Sequence, residues 1–168
     1  MPIQRLNHAV LYVRDVGRSV AFYTEALGFR VVMEMPGQAA FLQAAGSTND
    51  HDLGLFAIGD RAGASTAGRS TVGLYHLAWE VDTLVELQRI RNVLTERGAL
   101  VGASDHGSTK ALYAQDPDGI EFEVSWLVPA ALLDPDQTIS TRPLHLEREI
   151  ERYGADTRGG VGVSVPTA

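Results

Sequence analysis

The fold is decided by LNHAVLYVRDVGRSVAFYTEALGFRVV (residues 6–32), which the chain repeats as LYHLAWEVDTLVELQRIRNVLTERGALV (residues 74–101). Each copy predicts a strand, then an amphipathic helix, then a glycine where a left-handed residue commonly ends a helix. An aspartate, Asp15 or Asp82, lies between strand and helix, where we expect its carboxylate to cap backbone N–H groups. The repeat therefore predicts two structural units of one kind.

Three short strand-like runs follow each predicted helix. They are FRVVMEM, QAAFLQA and HDLGLFAIG in the first copy, and ALVGA, KALYAQD and IEFEVSW in the second. Each unit is therefore predicted as β-α-β-β-β, the first at residues 3–58 and the second at residues 74–128. The Gly/Ser/Thr-rich residues 59–73 predict a linker. DPDG at 116–119 predicts a turn that joins the last two strands as a hairpin.

Beyond residue 128 this pattern ends. Residues 129–168 form a C-terminal extension, in which PLHLEREIERYG (143–154) predicts one short helix. From residue 154 onward the composition is that of a poorly ordered end. The sequence leaves open whether the extension packs on its own domain or on a partner subunit. The predicted class is α+β, with two tandem units, one domain overall and a C-terminal tail with a short helix.

Composition excludes several classes of function. At 168 residues, 45% hydrophobic and 21% charged, the chain predicts one globular domain. It has no cysteine, which excludes disulfides, thiolate metal sites and cysteine nucleophiles. The net charge of −7 argues against a nucleic-acid partner. No apolar run is long enough for a bilayer and no secretory signal is recognisable, so we expect a cytoplasmic protein without a membrane partner.

Two histidines occupy the same place in the repeat. His8 and His76 each lie near the start of the first strand of their unit. A lone histidine on a strand is more often a structural residue satisfied by hydrogen bonds, but the repeat favours a shared role. Two units related by a pseudo-twofold axis would form an open barrel and place both imidazoles across a common metal cavity.

A third candidate ligand lies on the last strand of the second unit. Period two places Glu121 and Glu123 on one face of that strand, opposite the apolar Phe122 and Val124. Two carboxylates facing the inside of a small sheet are unfavourable unless a positive charge, such as a divalent cation, compensates them. Two imidazoles and one carboxylate are the ligands of non-haem Fe(II) sites that keep open positions. Either glutamate fits this set.

The repeated units with strand histidines resemble the vicinal oxygen chelate superfamily, over about residues 5–128. That superfamily includes glyoxalases, extradiol ring-cleavage dioxygenases, fosfomycin-modifying enzymes and bleomycin-binding proteins. HGSTKALYAQDPDGIEFE (106–123) resembles the more specific extradiol dioxygenase signature, which runs from a histidine through an apolar–Tyr pair, an acidic residue, Pro and Gly to a closing Glu. Ser104 departs from the residues usual at its place.

The resemblance implies a metal site. His8, His76 and Glu123 match the iron ligands, which would leave Glu121 nearer the sheet edge or solvent. Fe(II) is the expected metal, and Mn(II) or another divalent metal suits the same ligands.

The resemblance also implies three residues that handle protons and substrate. His51, in NDHDLGLF, matches the proton-transfer histidine, and His106 and Tyr113 match a pair that contacts the substrate. Taken singly, His51 suits a cap for the preceding turn, His106 a surface residue, and Tyr113 an ordinary strand aromatic. Together they imply extradiol cleavage of a catechol-like or hydroquinone-like aromatic ring with O₂. Short members of the superfamily commonly dimerise, so the resemblance also implies a homodimer or larger homo-oligomer.

Rival functions come from the same superfamily. One is a glyoxalase-like isomerase or lyase, but glyoxalases carry a fourth ligand, typically a glutamate on the last strand of the first unit, and HDLGLFAIG has none. Another is a non-catalytic small-molecule-binding resistance protein, a class that lacks the metal ligands. A fosfomycin transferase would need basic residues to hold the phosphonate. Four aromatic residues are predicted to line either a pocket or the core: Phe22, Trp79, Phe122 and Trp126.

Overall fold

The computed structural model describes residues 2–3, 5–67, 70–134, 136 and 140–160. By their internal contacts the described residues form two units, one within Met1–Thr66 and Asp116–Gly119, the other within Ala67–Gln115 and Ile120–Ala168. No helix among the described residues is long and apolar enough to span a membrane.

The first unit is a four-stranded sheet with one helix. Its elements are β1 (Ala9–Val13), α1 (Val16–Leu27), β2 (Arg30–Met35), β3 (Ala39–Gln43) and β4 (Leu53–Ala57). The sheet order is β1-β4-β3-β2, in which β1 is parallel to β4 and the other neighbours are antiparallel. The β-α-β-β-β prediction is confirmed for this unit.

The second unit repeats this topology. Its elements are β5 (Leu77–Glu80), α2 (Leu84–Glu96), β6 (Leu100–Asp105), β7 (Thr109–Gln115) and β8 (Glu121–Leu127). The order β5-β8-β7-β6 matches that of the first sheet, again with one parallel pair at the edge. A short strand, β9 (Arg142–Pro143), continues this sheet beside β6, and α3 (Leu146–Tyr153) is the short helix predicted for the extension. The α+β class with tandem units is therefore confirmed.

The two helices begin differently, although the repeat predicts one kind of cap. Asp15 caps α1, because its carboxylate accepts a hydrogen bond of 2.7 Å from the backbone N–H of Arg18. The matching prediction for Asp82 is wrong. Thr83 has the extended backbone of a capping residue (φ −141°), and its hydroxyl accepts from the N–H of Glu86. The second helix therefore starts one residue later than the repeat suggests.

Each sheet buries one face against its helix. In the first unit α1 packs on β3 and β4, and in the second α2 packs on β6, β7 and β8. Phe22, Phe122 and Trp126 are 6%, 1% and 0% exposed, so these three aromatic residues belong to the core, while Trp79 is half-buried. The helix-facing side of each sheet therefore supplies core residues. In the second unit, Tyr113 and Glu123 alternate with these core residues along β7 and β8.

The extension packs on the second unit. Besides the pairing of β9 with β6, α3 packs against α2, and the indole N–H of Trp126 donates to the carbonyl oxygen of Thr157 at 3.1 Å. The N–H of Gly159 donates to the carbonyl of Asp82 at 2.9 Å. The prediction of a poorly ordered end is therefore wrong for residues 154–160, and its remainder lies outside the described residues.

Candidate functional site

His76 and Glu123 lie against each other in the second unit. His76 directly precedes β5, and Glu123 lies on the neighbouring strand β8, paired with Ala78. Nε2 of His76 is 3.2 Å from Oε2 of Glu123, and the two side chains are 25% and 13% exposed. The parallel pairing of β5 with β8 brings these two predicted ligands together.

This pair has the spacing of two neighbouring ligands on one metal ion. Metal–nitrogen and metal–oxygen bonds of about 2.1 Å, set at about 90°, place the two donor atoms about 3 Å apart. The second ring nitrogen of His76, Nδ1, is buried and makes no hydrogen bond within the described part of the chain. A buried ring nitrogen normally has a hydrogen-bond partner, in a structural histidine and in a metal-bound one alike. The distance between His76 and Glu123 is therefore compatible with a metal site and equally with a direct ion pair.

Tyr113 and His106 extend the pair into a chain of four side chains. Tyr113 lies directly opposite Glu123 across β7 and β8, and its hydroxyl lies near the Glu123 carboxylate. Nε2 of His106 is 2.9 Å from the same hydroxyl oxygen. Four of the six residues predicted for the site thus lie together in one unit: His76, His106, Tyr113 and Glu123.

The phenol in this chain is held neutral. Burial contributes most, followed by the neighbouring carboxylate of Glu123, and together these raise the pKa of Tyr113 to about 12. The neighbouring Tyr75 and Glu121 add to the same shift. At neutral pH the phenol therefore keeps its proton, so its hydroxyl can donate one hydrogen bond and accept another.

The other two predicted residues meet in the first unit. The imidazoles of His8 and His51 have centroids 4.4 Å apart, and the rings of His51 and Phe41 meet in a T-shaped contact with centroids 5.0 Å apart. Nδ1 of exposed His8 is 2.7 Å from Oδ1 of Asn7, and Nδ1 of His51 is 3.1 Å from Oδ2 of Asp50. His51 is thus held by aromatic contacts on two sides.

The turn before His51 has a different cap. The Asp52 carboxylate accepts hydrogen bonds from the N–H of Ala44 (2.8 Å), the hydroxyl of Ser47 (2.7 Å) and the side-chain amide of Asn49 (2.7 Å). Asp52, rather than His51, therefore caps this turn.

The predicted metal ligands are divided between the units. His8 lies in the first unit, and His76 with Glu123 lies in the second. Within the described ranges no group of three or more His, Cys, Asp or Glu side chains is arranged to hold a metal ion. The complete triad stays a prediction, whereas the contact between two of its members is observed.

The internal repeat shows what the first unit lacks. In both units the residue two positions after the strand histidine pairs with the last strand, and its partner is Glu123 in the second unit but Gly54 in the first. The residue opposite that position on the preceding strand is Tyr113 in the second unit and Phe41 in the first. The carboxylate and the phenol are therefore confined to the second unit.

Sequence reasoning missed one contact of this site. Nδ1 of His106 lies 3.2 Å from the carbonyl oxygen of Ser140 and 3.3 Å from Oγ1 of Thr141, both in the extension. A main-chain carbonyl leaves no signal in a sequence because every residue has one. Only the pairing of β9 with β6 brings this segment beside His106.

Comparison with known proteins identifies the family. The family model described as the Glyoxalase/Bleomycin resistance protein/Dioxygenase superfamily matches residues 5–124. The chain belongs to this superfamily. The resemblance inferred from the strand histidines and the repeated units is thereby confirmed.

Relatives within the superfamily carry different activities. A catechol-2,3-dioxygenase of Bacillus subtilis is 28% identical over 158 residues, which cover 91% of this chain and 53% of that protein. The chain thus spans about half the length of this relative. A lactoylglutathione lyase of Salmonella typhimurium is 32% identical over 127 residues, which cover 71% of this chain and 90% of that protein. The superfamily therefore fixes the class of domain without choosing between these reactions.

A solved structure supports the fold. The glyoxylase/bleomycin resistance protein/dioxygenase domain from Frankia sp. EAN1pec superposes with a TM-score of 0.62 at 23% identity, covering 74% of this chain and 92% of that one.

Proposed function

We propose that this protein is a metal-dependent extradiol dioxygenase that opens a catechol-like or hydroquinone-like ring with O₂. The observation that carries the proposal is the hydrogen bond of 2.9 Å between His106 and Tyr113, beside the His76–Glu123 pair. A metal site alone suits every enzyme of the superfamily. A histidine and a phenol aligned next to that site add hydrogen-bonding groups for a bound aromatic diol.

His8, His76 and Glu123 are the proposed metal ligands, with Fe(II) as the preferred metal and Mn(II) as an alternative. The contact of His76 with Glu123 supports two of them, and His8 is included because it occupies the place of His76 in the first unit. The metal, when bound, supplies coordination positions for the substrate oxygens and for O₂.

The chain's own residues orient substrate and move protons. Tyr113, whose pKa is raised to about 12, would stay a neutral phenol whose oxygen accepts a hydrogen bond from a substrate hydroxyl, and His106 would hold the phenol in place by accepting its O–H. His51 would take the diol proton and return it after ring opening, since imidazole is the side chain suited to proton exchange near neutral pH. The contacts of its ring with His8 and Phe41 would keep it in position.

Two observations favour a dioxygenase over a lyase. Gly54 occupies the first-unit position that is equivalent to Glu123, and no residue of β4 (Leu53–Ala57) is acidic, so the fourth carboxylate typical of glyoxalases is missing there. The dioxygenase match also reaches further, because covering 91% of 168 residues leaves only about 15 outside it. Most of the extension that contacts His106 therefore has a counterpart in that relative.

The test is oxygen uptake by the protein after anaerobic loading with Fe(II). A panel of catechols and hydroquinones is supplied, and ring-opened product is followed by its visible absorbance. The hemithioacetal of methylglyoxal and glutathione is the parallel probe for a lyase. Uptake of one O₂ per product supports the proposal. Metal binding with isomerisation of the hemithioacetal, and no oxygen uptake on any ring, would overturn it.

His51→Phe tests the proton-transfer role within this proposal. The variant should bind Fe(II) like the parent, because His51 is not a proposed ligand, and should lose about 100-fold or more in turnover. His145→Phe, at the exposed start of α3, is the matched control and should retain full activity. Normal ring opening by the His51 variant would show that another group carries the proton.

A further inference from the structure

His106 lies in a turn whose backbone is fixed. The turn joins β6 to β7, and the N–H of His106 donates to the carbonyl of Thr109 at 2.9 Å. The next residue, Gly107, has φ of 84°, and its N–H donates to Oδ1 of Asp105 at 2.8 Å. These main-chain contacts fix the position of the His106 backbone. They do not determine which of the two ring nitrogens carries the proton.

A carbonyl group of the C-terminal extension determines which ring nitrogen of His106 carries the proton. Nδ1 of His106 is 3.2 Å from the carbonyl oxygen of Ser140. A carbonyl oxygen can only accept a hydrogen bond, so this contact requires the proton of the ring to be on Nδ1. The hydroxyl of Thr141, 3.3 Å from the same nitrogen, imposes no such choice, because a hydroxyl can either donate or accept.

The proton on Nδ1 decides what His106 presents to Tyr113. In the neutral ring, Nε2 then carries a lone pair and faces the phenolic hydroxyl at 2.9 Å. The phenol has one proton and two acceptors within reach, Nε2 of His106 and the carboxylate of Glu123. With the other tautomer, Nε2–H of His106 would donate to the phenol oxygen, so Nε2 could not accept the phenol's proton.

A buried ion-pair cluster holds the extension where this contact needs it. Lys110 is 1% exposed and binds Asp105 at 2.6 Å and Glu149 of α3 at 3.0 Å. Arg142 of β9 pairs in register with Asp105, and its guanidinium is 3.8 Å from the same carboxylate. Two carboxylates satisfy a lysine that would be costly to bury alone. Asp105 directly precedes His106, so the cluster joins the extension to the turn.

We propose that the segment Ser140–Pro143 is a positioning element of the site, in which the carbonyl of Ser140 fixes the tautomer of His106 so that Nε2 accepts from Tyr113. The catalytic meaning of this inference rests on the proposed function, but the tautomer itself does not. The extension is then part of the machinery of the second unit.

The tautomer of His106 is measured by long-range ¹H–¹⁵N correlation spectra of the metal-free, full-length protein with ¹⁵N-labelled histidine. The signals of His106 are those absent from His106→Gln, and they are read at the alkaline end of a pH series, where they no longer change. We expect the Nδ1–H form. A ring in the Nε2–H form would overturn the inference.

A backbone substitution tests whether Ser140 is the cause. Replacing Thr141 by its α-hydroxy acid converts the Ser140 amide into an ester, whose carbonyl is a weaker acceptor, and retains the side chains. The ratio of the two tautomers should shift by about fivefold toward Nε2–H, as expected from weakening one hydrogen bond. The same replacement at Thr157, and the variant Thr141→Val, should leave the ratio unchanged. An unchanged ratio in the Thr141 ester would overturn the assignment to Ser140.

The same samples separate this inference from the proposed function. In Fe(II)-loaded protein that takes up oxygen, the ester at position 141 should lower kcat and leave KM unchanged, because the substrate-binding groups are intact. Protein that shows the expected tautomer but consumes no oxygen on any ring would refute the dioxygenase proposal and leave the assignment for His106 standing.

Discussion

At the scale of single residues, the second unit differs from the first by a hydroxyl and a carboxylate. Tyr113 opposes Glu123 across two strands, where the first unit pairs Phe41 with Gly54. The phenylalanine meets His51 by an edge contact, and the tyrosine joins a hydrogen-bonded chain. The two units share one topology but differ at this position. In the first unit an aromatic ring contacts an imidazole, and in the second unit a tyrosine hydroxyl is hydrogen-bonded to one.

The hydroxyl of Tyr113 can be removed with little change in volume. Tyr113→Phe loses the contacts to both His106 and Glu123, so we expect turnover to fall about 100-fold while Fe(II) binding is retained. The measurements are oxygen uptake and bound iron per chain. Tyr12→Phe, a 70% exposed tyrosine on β1, is the control and should be unaffected. If the Tyr113 variant turned over normally, the phenol would have no part in the reaction.

Residue type and spacing selected side chains that the structure brings together in two groups, whose role in a site stays a prediction, and the limits of this reasoning have a physical cause. His51, His106 and Tyr113 were selected because they match the spacing of a known signature. In the structure, the ring of His51 contacts His8 and Phe41, and His106 hydrogen-bonds to Tyr113. Ser140 acts through its main-chain carbonyl, which no side-chain pattern reveals. Its place beside His106 follows from a pairing of two-residue β9 with β6, which is too short for alternation to predict.

At the scale of elements, alternation and helical period predicted the strands and helices of both units. Asp15 and Asp82 were both predicted as caps because each lies between a strand and a helix, but after Asp82 the hydroxyl of Thr83, one residue later, accepts the hydrogen bond instead. The extension was harder, because its last residues have few apolar side chains to indicate burial. Gly159 is buried there by backbone contacts.

The packing of the extension on β8 depends on that glycine. A Cβ atom at Gly159 would lie 2.2 Å from the carbonyl oxygen of Leu127 and 2.7 Å from Nε1 of Trp126, so the segment would have to move. Gly159→Ala should lower the free energy of unfolding by about 1–3 kcal/mol. Urea denaturation followed by tryptophan fluorescence measures this change. Gly46→Ala, where a Cβ would meet nothing within 4 Å, should be close to neutral. Equal stability of the two variants would show that the contact is dispensable.

At the scale of the whole molecule, stability depends on carboxylates that must stay ionised. The chain carries a net charge of −7, yet each unit holds an aspartate whose pKa is lowered. Burial alone would raise the pKa of Asp118, but hydrogen bonds from Arg14 and the charges of Arg18 and Arg14 outweigh it and lower that pKa. For Asp105, burial is likewise outweighed by Lys110, by the N–H of Gly107 and by Arg142.

The sign of the resulting pH dependence is fixed by these lowered values. A carboxyl whose pKa is lower in the folded chain binds protons more readily once the chain is unfolded. Its contribution to the free energy of unfolding is therefore fully present above the pKa of the unfolded chain, about 3.9. That contribution is lost as the pH falls through the folded pKa. We therefore expect the free energy of unfolding to be steady near neutral pH and to fall steeply below about pH 4.

Asp118→Asn isolates the part of this fall that belongs to the first unit. The variant loses the ion pairs of 2.8 Å to Arg14 and 2.6 Å to Arg18, so it should be about 1–3 kcal/mol less stable than the parent at pH 7. The difference from the parent should shrink as the pH falls below about 4, because the parent loses the contribution of the ionised carboxyl there. Urea titrations from pH 7 to pH 3 measure both effects, with the exposed Asp60→Asn as the control. A difference between Asp118→Asn and the parent that stayed constant over this range would mean that packing, rather than charge, is what Asp118 contributes.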